Sequence, residues 1–107
     1  MEKIIDLKEL VTPTKTDSIS GRSFGEEFAK KIDLIKNFEE GYTIIIKIDS
    51  NFIKAINDSF IKGLFSSLFE KEKTIIKIKE KIKIEAEDYY LNLFEKNWLI
   101  LQKIYNV

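Results

Sequence analysis

The chain has 107 residues, 44% of them hydrophobic, and its 18 basic and 18 acidic residues give a formal net charge of zero. This length suits one domain with an ordinary apolar core, and the balanced charge does not favour nucleic acid as a partner. Cysteine and histidine are absent, which excludes disulfides, thiolate or imidazole metal sites and the most common general base of enzymes.

The N-terminal stretch gives no sign of export. Its sequence, MEKIIDLKEL, is charged too early for a secretory signal. No apolar run approaches the ~18–20 residues of a membrane span. We therefore expect a soluble cytoplasmic protein, and the heavy use of Ile, Lys, Asn and Glu is typical of an AT-rich genome.

The chain begins with a predicted strand. In residues 3–11, Ile5, Leu7 and Val11 stand among charged side chains, a pattern that indicates one buried face. The loop that contains Pro13 ends this strand.

A polar loop and a helix come next. Residues 14–23 are polar and rich in hydroxyl groups. The apolar residues after them recur at steps of three and four, which predicts a helix from about Ser23 to Asn37 with Gly41 as its stop. These residues are Phe24, Phe28, Ile32, Ile35 and Phe38.

The middle of the chain predicts a strand followed by a capped helix. The short β-branched run from Thr43 to Ile48, which ends at Asp49, fits a central buried strand. The polar stretch from Asn57 to Ser59 then provides side chains that cap helices. The apolar face of the following helix consists of Phe60, Ile61, Leu64, Phe65, Leu68 and Phe69.

The last third predicts a strand and a long helix. Isoleucines alternate with lysines through residues 74–84, which predicts a strand from about Thr74 to Ile78. It continues to Ile84 or breaks near Glu80 into a hairpin, and the lack of turn residues favours one long strand. Carboxylates then open a C-terminal helix over about residues 86–105.

The predicted order of elements is strand, helix, strand, helix, strand, helix. This alternation in so short a chain implies an α/β fold, with a mainly parallel or mixed sheet and right-handed crossovers. We expect residues 1–107 to form one domain.

Several short motifs occur where the predicted strands end and the predicted helices begin. They are Ser20-Gly21-Arg22, Asp49, Ile56, Ser59, Phe60 and Leu64-Phe65. Together these motifs, which lie within roughly residues 4–78, resemble the STAS-like domain family, small bacterial domains related to anti-sigma-factor antagonists. The resemblance implies a STAS-like fold.

The resemblance also implies a regulatory function without catalysis or cofactor. Such domains bind kinase-like ATPase partners, and many are phosphorylated by that partner at the start of the helix after the central strand, where Ser59 stands. A phosphate there meets unpaired N–H groups and the positive end of the helix dipole. The expected partner-binding residues are Ser20, Arg22, Asp58 and Ser59.

Each of these residues also has a simpler structural interpretation. Ser59 and its neighbours cap a helix. Arg22, the only arginine beside 17 lysines, holds a partner's carboxylate or phosphate, or else pairs with Asp49 or another carboxylate. Asp49 itself is a catalytic group or magnesium ligand, or else caps a turn.

Two larger sets of residues also allow two interpretations. The lysines at positions 77, 79, 81 and 83 form a nucleic-acid stripe, or else a solvated strand face that blunts a sheet edge. The aromatic residues Tyr90, Phe94 and Trp98 form an interface, or else the core under the last helix.

No set of residues in the sequence forms a recognisable catalytic constellation, so we expect a protein that is not an enzyme and binds no metal. One alternative function is a small inhibitor, encoded by a phage or mobile element, that blocks a larger protein or nuclease complex. Another is an enzyme that acts on phosphorylated or nucleotide substrates. A homodimer formed by pairing of the edge strand at residues 74–84 is a further expectation, which the lysines oppose.

Overall fold

The computed structural model describes residues 1–11, 18–72 and 74–107. Within them, the strands are β1 (Glu2–Asp6), β2 (Ser18–Ile19), β3 (Thr43–Lys47), β4 (Ala55–Ile56) and β5 (Ile82–Glu85). The helices are α1 (Lys8–Val11), α2 (Arg22–Lys31), α3 (Leu34–Glu39), α4 (Asp58–Lys71), α5 (Ile75–Lys81) and α6 (Asp88–Tyr105). The arrangement is an α/β fold, as predicted.

The main sheet has three parallel strands in the order β1–β3–β5. In the register, Ile46 lies opposite Ile5 on β1 and Ile84 on β5. Ile44 and Ile46 are almost fully buried, because their side chains share the sheet face that the helices cover. The prediction that Thr43–Ile48 forms a central strand is confirmed.

Helix α4 lies between α2 and α6 in the layer that covers this face. The side chains that carry its apolar pattern are all buried, and Phe65 makes edge-to-face contacts with Phe94 and Trp98 of α6. Such aromatic pairs contribute about 0.5–1.5 kcal/mol beyond their buried area. Tyr90, Phe94 and Trp98 therefore belong to the core and do not form an exposed interface.

Helices α2 and α4 cross at unusually close range because each has a glycine at the crossing. A Cβ on Gly25 would lie 2.7 Å from the backbone nitrogen of Leu64 and closer still to the carbonyl oxygen of Phe60. A Cβ on Gly63 would lie 2.9 Å from the carbonyl carbon of Arg22. The two backbones are thus in direct contact, which only glycine permits.

The predicted first strand is wrong beyond its first half. The carboxylate of Asp6 accepts a hydrogen bond from the backbone N–H of Lys8 at 3.0 Å, and the chain turns there into α1. Leu7 and Val11 are still buried, so their pattern correctly marked core positions but not the local conformation. Pro13 lies outside the described residues.

The predicted helix over residues 23–37 is interrupted. Asp33 adopts a left-handed conformation with φ of 52°, which Asp tolerates better than most residues. The chain thereby changes direction between α2 and α3, and the Asn37 side chain donates to the Ile32 carbonyl across the break. Gly41, with φ of 88°, follows the end of α3 and confirms the predicted stop.

The predicted long strand over residues 74–84 is wrong. Its first part is helix α5, and only Ile82–Glu85 is strand. Ile75, Ile78 and Ile82 also recur at helical steps, and Ile78 is fully buried whereas Ile76 is 67% exposed. The sequence of this segment fits both periods, and packing against the core selects the helix.

We predict that Gly25→Ala destabilises the fold by about 2 kcal/mol or more. Alanine gains up to about 1 kcal/mol of helix propensity over glycine, but the added methyl group meets the backbone of α4, and overpacking costs about 1–3 kcal/mol or more. The free energy of unfolding, measured by chemical denaturation, tests this. Glu27→Ala, at an exposed position of the same helix, is the control, and a Gly25→Ala variant as stable as this control would contradict the close crossing.

Candidate functional site

Two short parallel strands bring the starts of α2 and α4 together. Strand β2 pairs with β4, so that Ser18 lies opposite Ala55 and Ile19 opposite Ile56. The N–H of Asn57 donates to the carbonyl of Ile19 at 2.8 Å and extends this pairing by one step. Because the two strands are parallel, both end on the same side of the pair. Residues 20–22 and 57–59, which follow these strand ends, are therefore neighbours. We call this surface the paired helix starts.

The start of α4 is held by a side-chain cap. Asn57 has an extended backbone, and its Oδ1 accepts from the N–H of Ser59 at 2.7 Å. The hydroxyl of Ser59 also donates to this oxygen. The interpretation of this stretch as a helix cap is therefore correct, with Asn57 as the cap and Ser59 half-buried as the second residue of the helix.

Within residues 1–11, 18–72 and 74–107, no side chain caps the start of α2. Gly21 precedes it with φ of 104°, a value that favours glycine. Ser20 and Arg22 are exposed. Among the described residues no carboxylate forms an ion pair with Arg22, so the suggested pairing with Asp49 is not formed.

Asp58 is held by two residues of α6 that the sequence did not single out. Its carboxylate accepts hydrogen bonds from Lys96 at 3.3 Å and from Asn97 at 3.2 Å. The bond from Asn97 lowers the pKa of Asp58 below its ordinary value, with help from Lys96 and Lys62, and desolvation opposes this in part. Asp58 thus links the start of α4 to the C-terminal helix.

The four predicted partner-binding residues do lie together. Ser20 and Arg22 begin one helix, Asp58 and Ser59 begin the other, and the carbonyl group of Arg22 contacts α4 at Gly63. The surface combines one exposed guanidinium with two hydroxyl groups, whereas the Asp58 carboxylate is bonded to Lys96 and Asn97 of α6. Their binding role stays a prediction, as does the phosphorylation of Ser59.

Asp49 caps a turn at the end of the central strand. Its side chain accepts from the N–H of Asn51 at 2.9 Å, and its carbonyl accepts from Phe52 and Ile53. Nearby, the hydroxyl of Ser50 donates to Glu87. In the described part of the chain, no group of three or more carboxylates is placed to hold a metal ion. The turn-cap interpretation of Asp49 is therefore correct.

The lysine row is not a single strand face. Lys77, Lys79 and Lys81 lie on α5, and only Lys83 lies on β5. The amino group of Lys83 donates to the carbonyl of Lys79 at 3.0 Å. These lysines point in different directions around a helix, so the prediction of a continuous basic stripe is wrong.

Comparisons with protein-family models, with curated proteins and with solved structures find no match to this chain. The STAS-like resemblance therefore rests on the motif residues of the sequence alone. Across the described ranges, no helix has both the length and the apolar character needed to cross a bilayer.

We predict that Asn57→Ala lowers the free energy of unfolding by about 1 kcal/mol, because it removes the side-chain acceptor for the N–H of Ser59 at the start of α4. Thermal or chemical denaturation measures this loss. Asn92→Ala removes an exposed asparagine within α6 and is expected to have no such cost, since alanine is the better helix former there.

We also predict that the contribution of Asp58 to stability depends on pH. A carboxyl group whose pKa is lower in the folded than in the unfolded chain stabilises the fold above the unfolded value, and this contribution disappears as the pH falls through the folded value. The stability difference between the wild type and Asp58→Asn should therefore be constant near neutral pH and shrink below about pH 4.

Denaturation titrations across this pH range measure the effect. Asp88→Asn, which removes an exposed carboxylate at the start of α6, controls for the loss of one negative charge. Identical pH profiles for the two variants would contradict a special role of the contacts from Lys96 and Asn97.

Proposed function

We propose that this chain is a regulatory, non-enzymatic domain that binds a protein partner through the paired helix starts. The observation that carries this proposal is the β2–β4 pairing, which holds two helix N-termini side by side at the surface. Both termini carry the positive ends of helix dipoles, although Asn57 already accepts from the N–H of Ser59 at the start of α4. Such a surface suits an acidic group of a partner.

Arg22 is the main attachment point in this proposal. Its side chain is exposed, and no carboxylate of the described residues forms an ion pair with it. Its planar guanidinium forms two parallel hydrogen bonds to a carboxylate or phosphate, which lysine cannot do. Because its carbonyl group is packed against Gly63, the backbone from which the side chain projects is held in place.

Ser59 is the proposed switch. Its hydroxyl now donates to the Asn57 cap, and a phosphate on this oxygen removes that donor and adds a charge of about −1.5 to −2. Lys62 lies three residues further along α4 and faces the added charge, whereas Asp58 repels it. Phosphorylation thus adds negative charge to the surface beside Arg22.

The resemblance to STAS-like domains supports the choice of partner. The resemblance implies a kinase-like ATPase as the partner, which would bind this surface and phosphorylate the serine at the helix start. In this proposal the partner binds the chain with Ser59 unmodified, and phosphorylation releases it through repulsion between the new phosphate and the partner's own acidic groups.

Affinity capture from a lysate of the source organism, followed by titration with the purified partner, tests the proposal. We predict that Arg22→Ala weakens binding about tenfold or more, since buried arginines at interfaces commonly contribute 2 kcal/mol or more. Ser59→Asp, which adds a negative charge at the switch, should also weaken it.

Two matched controls belong to this experiment. Lys31→Ala removes a cation from the other end of α2, and Ser67→Asp places the same acidic side chain at an exposed serine of α4. Both should bind as the wild type does. If Arg22→Ala and Ser59→Asp bind as tightly as these controls, the paired helix starts are not the binding surface.

A further inference from the structure

Strand β5 is an edge of the main sheet whose outer side faces a groove. The strand order places β3 on one side of it only. The carbonyl of Glu85 accepts from the N–H of Ile48, so Lys83 and Glu85 direct their peptide groups towards β3. Since peptide direction alternates along a strand, Ile84 directs its N–H and C=O groups outward.

The groove beside this edge is open and partly apolar. It has a volume of about 230 Å³ and lies between β5 and α6, with Lys79 of α5 also at its border. Leu91, Phe94 and Trp98 contribute to its wall, and Leu99, which is 57% exposed, borders the adjoining hollow. The indole N–H of Trp98 is buried and has no acceptor among the described residues. Among the described residues, no further strand pairs with this edge.

The side chains of β5 are self-complementary in one register. Lys83 and Glu85 are exposed and share the sheet face opposite to Ile82 and Ile84. If two copies of β5 run antiparallel with Ile84 opposite its own counterpart, each Lys83 lies opposite a Glu85 of the other copy. The outward N–H and C=O groups of Ile84 then form a mutual pair of hydrogen bonds.

We propose that two copies of this chain form a symmetric dimer through their β5 edges in this register. The two three-stranded sheets join into one six-stranded sheet, with the two-fold axis perpendicular to it between the Ile84 residues. Two Lys83–Glu85 pairs flank the axis, one on each side, and each forms when the Lys83 amino group exchanges the carbonyl of Lys79 for the carboxylate of the other copy. The α6 helices of the two copies lie alongside the junction, where Leu99 contributes apolar surface.

The charges also decide against competing registers. Centring the axis on Lys83 places two lysines opposite each other, and centring it on Glu85 does the same with two glutamates, which is destabilising in either case. Lys83 thus disfavours pairing of this edge with strands of other proteins, but it does not disfavour pairing with a second copy of β5. The proposal is independent of the paired helix starts, which are built from other elements.

Sedimentation equilibrium over a wide concentration range tests the dimer. Lys83→Glu and Glu85→Lys each replace two attractive cross-strand pairs by two repulsive ones, and we expect each to raise the dimer dissociation constant about tenfold or more. The double variant Lys83→Glu/Glu85→Lys restores opposite charges in every pair and should recover the wild-type dissociation constant.

Matched controls and a second measurement keep the test decisive. Lys31→Glu and Glu39→Lys make the same charge changes at exposed positions of other elements and should leave the dimer intact. In hydrogen exchange monitored by NMR, the Ile84 amide should gain protection as the concentration rises. A wild-type chain that stays monomeric at high micromolar concentration, or a double variant no better than the single ones, would overturn the proposal.

Discussion

The contact on which the arrangement depends is the backbone approach of α2 and α4 at Gly25 and Gly63. Neither position has room for a methyl group. The close crossing presses the first turns of both helices together, and the β2–β4 pair holds the segments that precede them. The relative placement of the exposed residues Ser20 and Arg22 and the capped Ser59 follows from these two constraints. A looser crossing would leave the same side chains on two unrelated helix ends.

Much of the architecture is visible in the sequence because hydrophobic periodicity and local capping agree there. The central strand, helix α4 with its polar start, and the long C-terminal helix each carry one unambiguous pattern, and each is found. The strand predicted over residues 74–84 is wrong for the opposite reason. The isoleucines of this segment satisfy both a strand period and a helix period, and only tertiary packing decides between the two conformations. The left-handed conformation of Asp33 interrupts the helix predicted over residues 23–37. Hydrophobic periodicity does not reveal such a break, because the apolar residues on both sides of it keep their helical spacing.

The residues of the candidate site were predictable from the sequence, but the strands and the hydrogen bond that hold them in place were not. Glycine, serine and arginine before one helix, and short polar residues before another, marked both termini. The strands β2 and β4 have two residues each, too few for any alternation to show. The side chain of Asn97 is fully buried, and its bond to Asp58 joins residues far apart in the sequence, which no local pattern reveals.

The parallel order of the main sheet has a consequence for how the chain acquires its structure. Glu2 pairs with Thr43, and Ile44 pairs with Ile82, so every ladder of this sheet joins segments that are far apart along the chain. Such a topology has no hairpin from which to start and must close long loops before its strands gain hydrogen bonds, which slows folding. During synthesis on the ribosome, β1 emerges before β3 and must wait for it before this ladder can form.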